Sequence, residues 1–135
     1  MDEERELKSK ESEEFWSLLD RLFSEHTVII DRPKGSRHPR YPKYVYPFDY
    51  GYLEGTSSQD GGGIDVWVGT SSVKKVVGII SSIDYLKKDS EVKILYACTQ
   101  KDIQKIFQDH NRTENMKGIL NMRDEKTALM PEGLA

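Results

Sequence analysis

The chain has 135 residues, 36% hydrophobic and 32% charged, which is enough for one domain with a modest core and leaves no apolar run of the roughly 18 to 20 residues that a membrane span requires. Its single cysteine, Cys98, excludes an internal disulfide, and the lack of a Cys/His cluster excludes the usual zinc site. The net charge of -3 argues against bulk attraction to nucleic acid or membrane, and an N-terminus with seven acids against three bases in its first fourteen residues is no signal peptide, so a cytoplasmic location is expected.

Residues 1–11 are expected to fray, and a helix is predicted over about Glu13 to Glu25. There Phe15, Trp16, Leu18, Leu19, Leu22 and Phe23 recur at one-face helical spacing, with Ser12 available as N-cap. Thr27 to Asp31 reads as a strand. The next segment carries Arg32, Lys34, Arg37, Arg40 and Lys43 with no acid and is broken by Pro39 and Pro42, so it reads as a surface loop, either an anion cradle or simply a soluble connection. Past residue 69, Lys75 to Ile83 reads as a largely buried strand, Asp84 to Asp89 as a hairpin-like loop and Val92 to Tyr96 as an alternating strand. Thr99 to Asp102 opens a helix to about His110 with a capping-box pattern. Beyond Arg112 the pattern fades, which leaves a single domain over residues 1–122 and a flexible tail over 123–135. This order of elements predicts a small α+β domain built on a closed antiparallel barrel.

The chemistry concentrates between residues 43 and 69, where five of the seven tyrosines of the chain cluster in or just before the stretch, at 41, 44, 46, 50 and 52. Asp60 precedes three glycines, which let the backbone turn tightly around a ligand. Asp65 lies in the strand-like run Ile64 to Val68, where alternation puts it on one face with Trp67 and opposite Val66. Two hard oxygen donors so placed suit Mg2+, which binds through one or two carboxylates and keeps waters for a phosphorylated substrate. A side-chain-capped turn at Asp60 and a solvated Asp65 is the alternative.

Tyr46-Pro-Phe-Asp-Tyr50-Gly-Tyr52, followed ten residues after Tyr50 by Asp60-Gly-Gly-Gly-Ile-Asp65-Val, resembles the signature of the soluble, Mg-dependent inorganic pyrophosphatases. That family shows Tyr-Pro-x-Asn-Tyr-Gly-Tyr/Phe and then Asp-x-Asp-Pro-x-Asp-Val. The resemblance covers roughly residues 27–112 and implies an OB-like barrel of five antiparallel strands with flanking N- and C-terminal helices. It also implies Mg2+ as cofactor, pyrophosphate as small-molecule substrate and a homo-oligomer. Carried over by position, Asp60, Asp65, Asp84 and Asp89 are implied metal ligands, Asp65 and Tyr50 catalytic residues, and Asp31 an outer-shell acceptor in place of a glutamate. On the phosphate side the resemblance implies Arg40, Tyr46, Tyr50 and Lys93, with His110 falling in the C-terminal helix where the family has a tyrosine and Arg112 close behind it. Lys93 lies two residues farther from Asp89 than the family pattern has it, and His110 taken alone is more often a helix-end histidine facing the dipole than a ligand. The family's arginine-bearing hairpin is missing, which leaves Arg37, Lys43 or Lys34 to replace its cation, with Lys43 included in the expected site.

The family's proton-accepting aspartate falls on Gly62 and the following proline on Gly63. The implied function is therefore a divergent pyrophosphatase, slowed by that loss, in which metal-activated water attacks the diphosphate. The absent hairpin also leaves room for a nucleotide or another diphosphate. Two other functions compete: a non-catalytic phosphate- or polyphosphate-binding homologue, and an OB-type binder of single-stranded nucleic acid. Asp60, Asp65, Asp84 and Asp89 weigh against the last, because they repel a phosphate backbone.

Overall fold

The computed structural model describes residues 3–58 and 61–123. The elements run α1 (Glu3–Ser24), β1 (Val28–Arg32), β2 (Asp49–Leu53), β3 (Asp65–Val68), β4 (Val76–Asp84), β5 (Asp89–Tyr96), α2 (Gln100–Asp109) and β6 (Met116–Met122). The six strands form one mixed sheet in the order β1-β2-β3-β5-β4-β6. β3 and β5 pair in parallel at its centre, with Asp65 beside Lys93 and Trp67 beside Leu95, while the remaining pairs are antiparallel.

Several expectations are corrected. The sheet is not a closed, all-antiparallel barrel of five strands: β1 pairs with β2 alone, and both sides of β4 are taken, by β5 and by β6. β6 takes the side of β4 that a closing strand would need. It was hidden because the alternation of Met116 to Met122 is broken by Gly118 at a buried position and by Ile119 at an outward one, 65% exposed. With β6 after it, α2 is not C-terminal. α1 begins at Glu3 and is not frayed to residue 11, and Ser12 lies inside it and does not cap it. Its first half consists largely of Glu, Lys, Arg and Leu, strong helix formers that need no packed face to favour the helix. The predicted tail is tied down at its first residue: Arg123 hydrogen-bonds Asp20 of α1 and donates to the Val76 carbonyl at 3.1 Å. The rest of that tail, residues 124–135, and Asp60 lie outside the described residues.

The two faces of the sheet have separate cores. On one, α1 lays Trp16, Leu19 and Phe23 over Leu53, Val66, Val76, Ile79 and Ile94. Phe23 stacks on Tyr96 at a ring distance of 4.5 Å. On the other, α2 lays Ile103 and Ile106 against Trp67, Val77, Ile80 and Leu95. Thr99 and Asp102 form the predicted capping box, and the Asp102 carboxylate also accepts from the Thr70 amide at 2.7 Å, fastening the start of α2 to the end of β3. Gly51 of the Tyr-Gly-Tyr motif is required by close approach of β1, since a Cβ there would lie 1.8 Å from the Ile29 carbonyl oxygen.

Candidate active site

The strand period of two puts Tyr50 of β2, Asp65 and Trp67 of β3, and Asp89, Glu91 and Lys93 of β5 on the α2 side of the sheet. Lys93 is the hub. Its Nζ donates to the Tyr50 hydroxyl at 2.7 Å, lies 2.9 Å from Glu91 Oε2 and 3.5 Å from Asp65 Oδ2. The Tyr50 hydroxyl in turn hydrogen-bonds the Asp65 carboxylate. Burial, then the Asp65 charge, pushes the Tyr50 phenol well above its ordinary value, so it stays a donor at any physiological pH. Burial also raises Asp65, against the opposing pull of Lys93 and the Tyr50 hydrogen bond.

Beside this cluster lies a cavity of about 550 Å3. Its floor is aromatic: Tyr46 is tilted against Tyr50 at 5.5 Å, and Trp67 meets Tyr50 edge-on at 4.6 Å. The Arg32 guanidinium hydrogen-bonds the Tyr46 hydroxyl, whose pKa burial raises. His110 closes one wall, its ring edge-on to Trp67 at 6.0 Å. Its Nδ1 lies 2.9 Å from the Ile106 carbonyl and donates to it in the neutral form, which leaves Nε2 as an acceptor. Burial, helped by the Lys93 charge, lowers His110 to about 4, so the ring is neutral at pH 7. Gly118 lets α2 come this close to the sheet, since a Cβ there would lie 3.2 Å from His110 Cβ. Tyr44 donates to the buried Asp109 carboxylate at 2.7 Å, and the Arg112 guanidinium lies 5.1 Å above the Tyr44 ring.

The remaining expected residues are placed unevenly. Asp84 and Asp89 face each other as the last pair of the β4–β5 hairpin and both line the cavity. Asp84 also accepts from the Lys87 amide at 3.1 Å, so it shapes the turn as well. Lys43 and Arg112 line the cavity, while Arg40 and Asp31 are exposed and outside its lining. Asp65 opens into a neighbouring groove of about 860 Å3 and reaches the aromatic cavity only through Tyr50 and Lys93, whereas Asp89 and Glu91 border both spaces.

Two residues at the site escaped the sequence reading. Glu91 is the nearest acid to Lys93, and an acid two residues before the lysine is the family spacing that Asp89 failed to give. Taking Glu91 as that acid moves the two extra residues into the hairpin turn, where length changes cost little. The other is His38. Residues 36–46 form a miniature hairpin with one bridge, Arg37 to Val45, and with hydrogen bonds from the Tyr46 amide to the Ser36 carbonyl at 2.9 Å and from the His38 amide to the Tyr44 carbonyl at 3.0 Å. Alternation from Arg37, which faces out and donates to the Pro42 carbonyl, turns His38 inward to stack parallel on Tyr46 at 6.2 Å. Burial and then the Lys87 charge lower its pKa.

A family model described as inorganic pyrophosphatase matches residues 24–126. The chain belongs to the inorganic pyrophosphatase family. Membership makes it an inorganic diphosphatase, a hydrolase of the phosphoanhydride bond, and implies a divalent metal cofactor. Among solved structures it is similar to an inorganic pyrophosphatase from Neisseria gonorrhoeae, with 18% identity over 74% of this chain and 83% of that one and a TM-score of 0.55. An inorganic pyrophosphatase from Coxiella burnetii is similar at 17% identity over 74% of this chain and 87% of that one, with a TM-score of 0.49. At such identity the first likeness speaks for the fold alone. No curated protein matches the sequence. Within the described residues no helix is long and apolar enough to cross a membrane.

The donor set of this pyrophosphatase suits a hard cation. Asp84, Asp89 and Glu91 line one cavity, and Asp65 is held beside it with a cation, the Lys93 ammonium, already between it and Glu91. Among the described residues no group of three or more His, Cys, Asp or Glu side chains is placed to hold a metal ion by itself. An open set of carboxylates fits an ion that keeps water and phosphate oxygens in its shell.

The glycine run also has a local cause. The Ser58 amide donates to the Gly62 carbonyl at 2.7 Å, closing a tight turn, and a Cβ at Gly63 would lie 2.5 Å from the Leu53 carbonyl oxygen. Where the family signature has proline, the backbone here passes too close to β2 for any side chain.

Proposed function

We propose that this pyrophosphatase hydrolyses inorganic pyrophosphate to two phosphates in a Mg2+-dependent reaction, and more slowly than family members that carry an acid at the position of Gly62. The observation that carries this reading is the hydrogen-bonded set Tyr50, Asp65, Lys93 and Glu91, which holds a cation, a neutral donor and two carboxylates at one point beside a cavity of phosphate size or larger. Asp65, Asp84, Asp89 and Glu91 would hold the metal, and the sequence pattern adds Asp60 to that set. When bound, it supplies Lewis acidity and lowers the pKa of a coordinated water.

The chain's own groups do the rest. Lys93 offsets the charge of the phosphate oxygens, the Tyr46 hydroxyl, kept protonated by burial, donates to them, and Tyr50 orders Lys93 and Asp65 beside them. His110 presents a neutral Nε2 to the cavity and so orients a proton-bearing group, water or a hydrogen phosphate. Asp65, raised by burial, is a stronger proton acceptor than an exposed aspartate and takes over as base where Gly62 offers none. General-base assistance is worth about 10² to 10⁴ in rate, which bounds the loss at Gly62. Lys43 and Arg112 stand at the cavity as the cations nearest the role of the missing arginine, and Arg40 and Asp31, outside the lining, act only through their long-range field. The same reading takes the protein to be a cytoplasmic homo-oligomer with no nucleic-acid partner.

Phosphate release from pyrophosphate, measured with Mg2+ and again after chelation, tests it. Release that requires Mg2+ is expected. Release that is unchanged by chelation, or absent in both, would remove the proposal.

A further inference from the structure

The cavity is chemically two-ended. At its inner end stand Lys93, Tyr50 and Tyr46, groups that suit phosphate. Its outer end is made by two hairpins, the miniature one with His38 and Tyr41 and the β4–β5 turn with Leu86 and Lys87. The two come close enough that Lys87 is the charge His38 feels most. Tyr41 is 54% and Leu86 70% exposed, a ring and an aliphatic side chain left largely open to solvent at the rim of the cavity, which Lys43 and Lys87 also line. His38 lies 5.1 Å from the Tyr41 ring, tilted by 41°, and steadies it.

Inorganic pyrophosphate has no apolar surface to set against Tyr41 or Leu86, and a cavity of about 550 Å3 falls in the range of about 300–1,000 Å3 that encloses organic ligands. A molecule with phosphates at one end and a flat ring at the other matches both ends. We propose that the site accepts nucleoside diphosphates, with the phosphates at Lys93 and Tyr50 and the base stacked on Tyr41 between the two hairpins. This rests on the pyrophosphatase reading of the same site. The water oxygen bonds to the terminal phosphorus, and the bridging P–O bond breaks with its electron pair on the oxygen that leaves with the nucleoside monophosphate. The proton from water is released to solvent.

The test uses the full chain in Mg2+ buffer, titrated calorimetrically with adenosine diphosphate and with pyrophosphate, with phosphate release followed for each. Tyr41→Ala is expected to weaken adenosine diphosphate binding about tenfold, the scale of one stacked base, and to leave pyrophosphate binding unchanged, while Tyr41→Phe keeps the ring and the affinity. Leu86→Ser is expected to weaken the nucleotide selectively by a smaller factor. Equal adenosine diphosphate affinity in wild type and Tyr41→Ala, or parallel losses for both ligands, would overturn the proposal. If nucleotide binding depends on Tyr41 and neither ligand yields phosphate, the base site stands and the hydrolase reading falls.

Discussion

The same six strands serve two faces that are built on opposite terms. On the α1 face the side chains that the sheet presents are Val66, Ile79 and Ile94, and Trp16, Leu19 and Phe23 cover them. On the α2 face the sheet presents Tyr50, Asp65, Glu91 and Lys93, and α2 covers only the apolar end, leaving the rest as a cavity. A strand alternates its side chains between the faces, so each strand contributes to both, and a one-residue slip would exchange them. Along β3 and β5 the even positions Val66 and Ile94 enter the α1 core, while the odd positions divide the other face between core, at Trp67 and Leu95, and site, at Asp65 and Lys93.

The comparison is sharpest where the two faces respond differently to mutation. Trp16→Ala on the α1 face should cost about 3–5 kcal/mol in denaturant unfolding, the usual penalty for truncating a buried tryptophan, while the folded fraction keeps its pyrophosphate KM. An altered KM would show that the faces are coupled.

The α2 face should show its buried charge chemistry through pH. His110 is lowered to about 4 in the folded protein from an ordinary value of 6.5, so the unfolded chain binds the proton first on acidification. Stability is therefore full above about pH 6.5 and falls as pH drops toward 4, by about 3 kcal/mol over the whole window. Urea unfolding at pH 7 and pH 5 of wild type and His110→Gln checks this, and the variant should lose this part of the pH slope. An identical slope in both would place the acid sensitivity elsewhere.

Smallest of all should be Trp67→Phe. The Trp67 indole nitrogen is buried without a hydrogen-bond partner among the described residues, so the lost packing is offset by the removal of an unsatisfied donor, and stability should stay within about 1 kcal/mol of wild type. A loss of several kcal/mol by thermal or urea unfolding would mean that the N–H is satisfied after all.

What the sequence made legible follows from range. Asp65 and Trp67 on a common face, the capping box at Thr99 and the pairing of Asp84 with Asp89 all depend on neighbours within a few residues, and local pattern carries them. Lys93 was found from family spacing, and its three partners come from β2, β3 and one pleat away on β5, which only the sheet assembles. Glu91 was missed because the hairpin is two residues longer than the pattern against which Asp89 was matched. His38 was missed because the inward turn of its ring depends on the single bridge from Arg37 to Val45, which leaves almost no signal in a segment broken by prolines. The open sheet was missed because β6 carries its apolar Ile119 outward, against the alternation that announces a strand.

The central claim is that the polar cluster of the α2 face, Tyr50, Asp65, Glu91 and Lys93, serves the chemistry while the apolar residues beside it carry the fold, and Asp65→Asn tests it most directly. The substitution keeps the shape and removes the charge beside Lys93 and Tyr50. Turnover of pyrophosphate at saturating Mg2+, measured beside the urea midpoint, should fall by at least about 10² with the midpoint nearly unchanged. Turnover equal to wild type, or a loss of turnover matched by a collapse of the midpoint, would contradict the account.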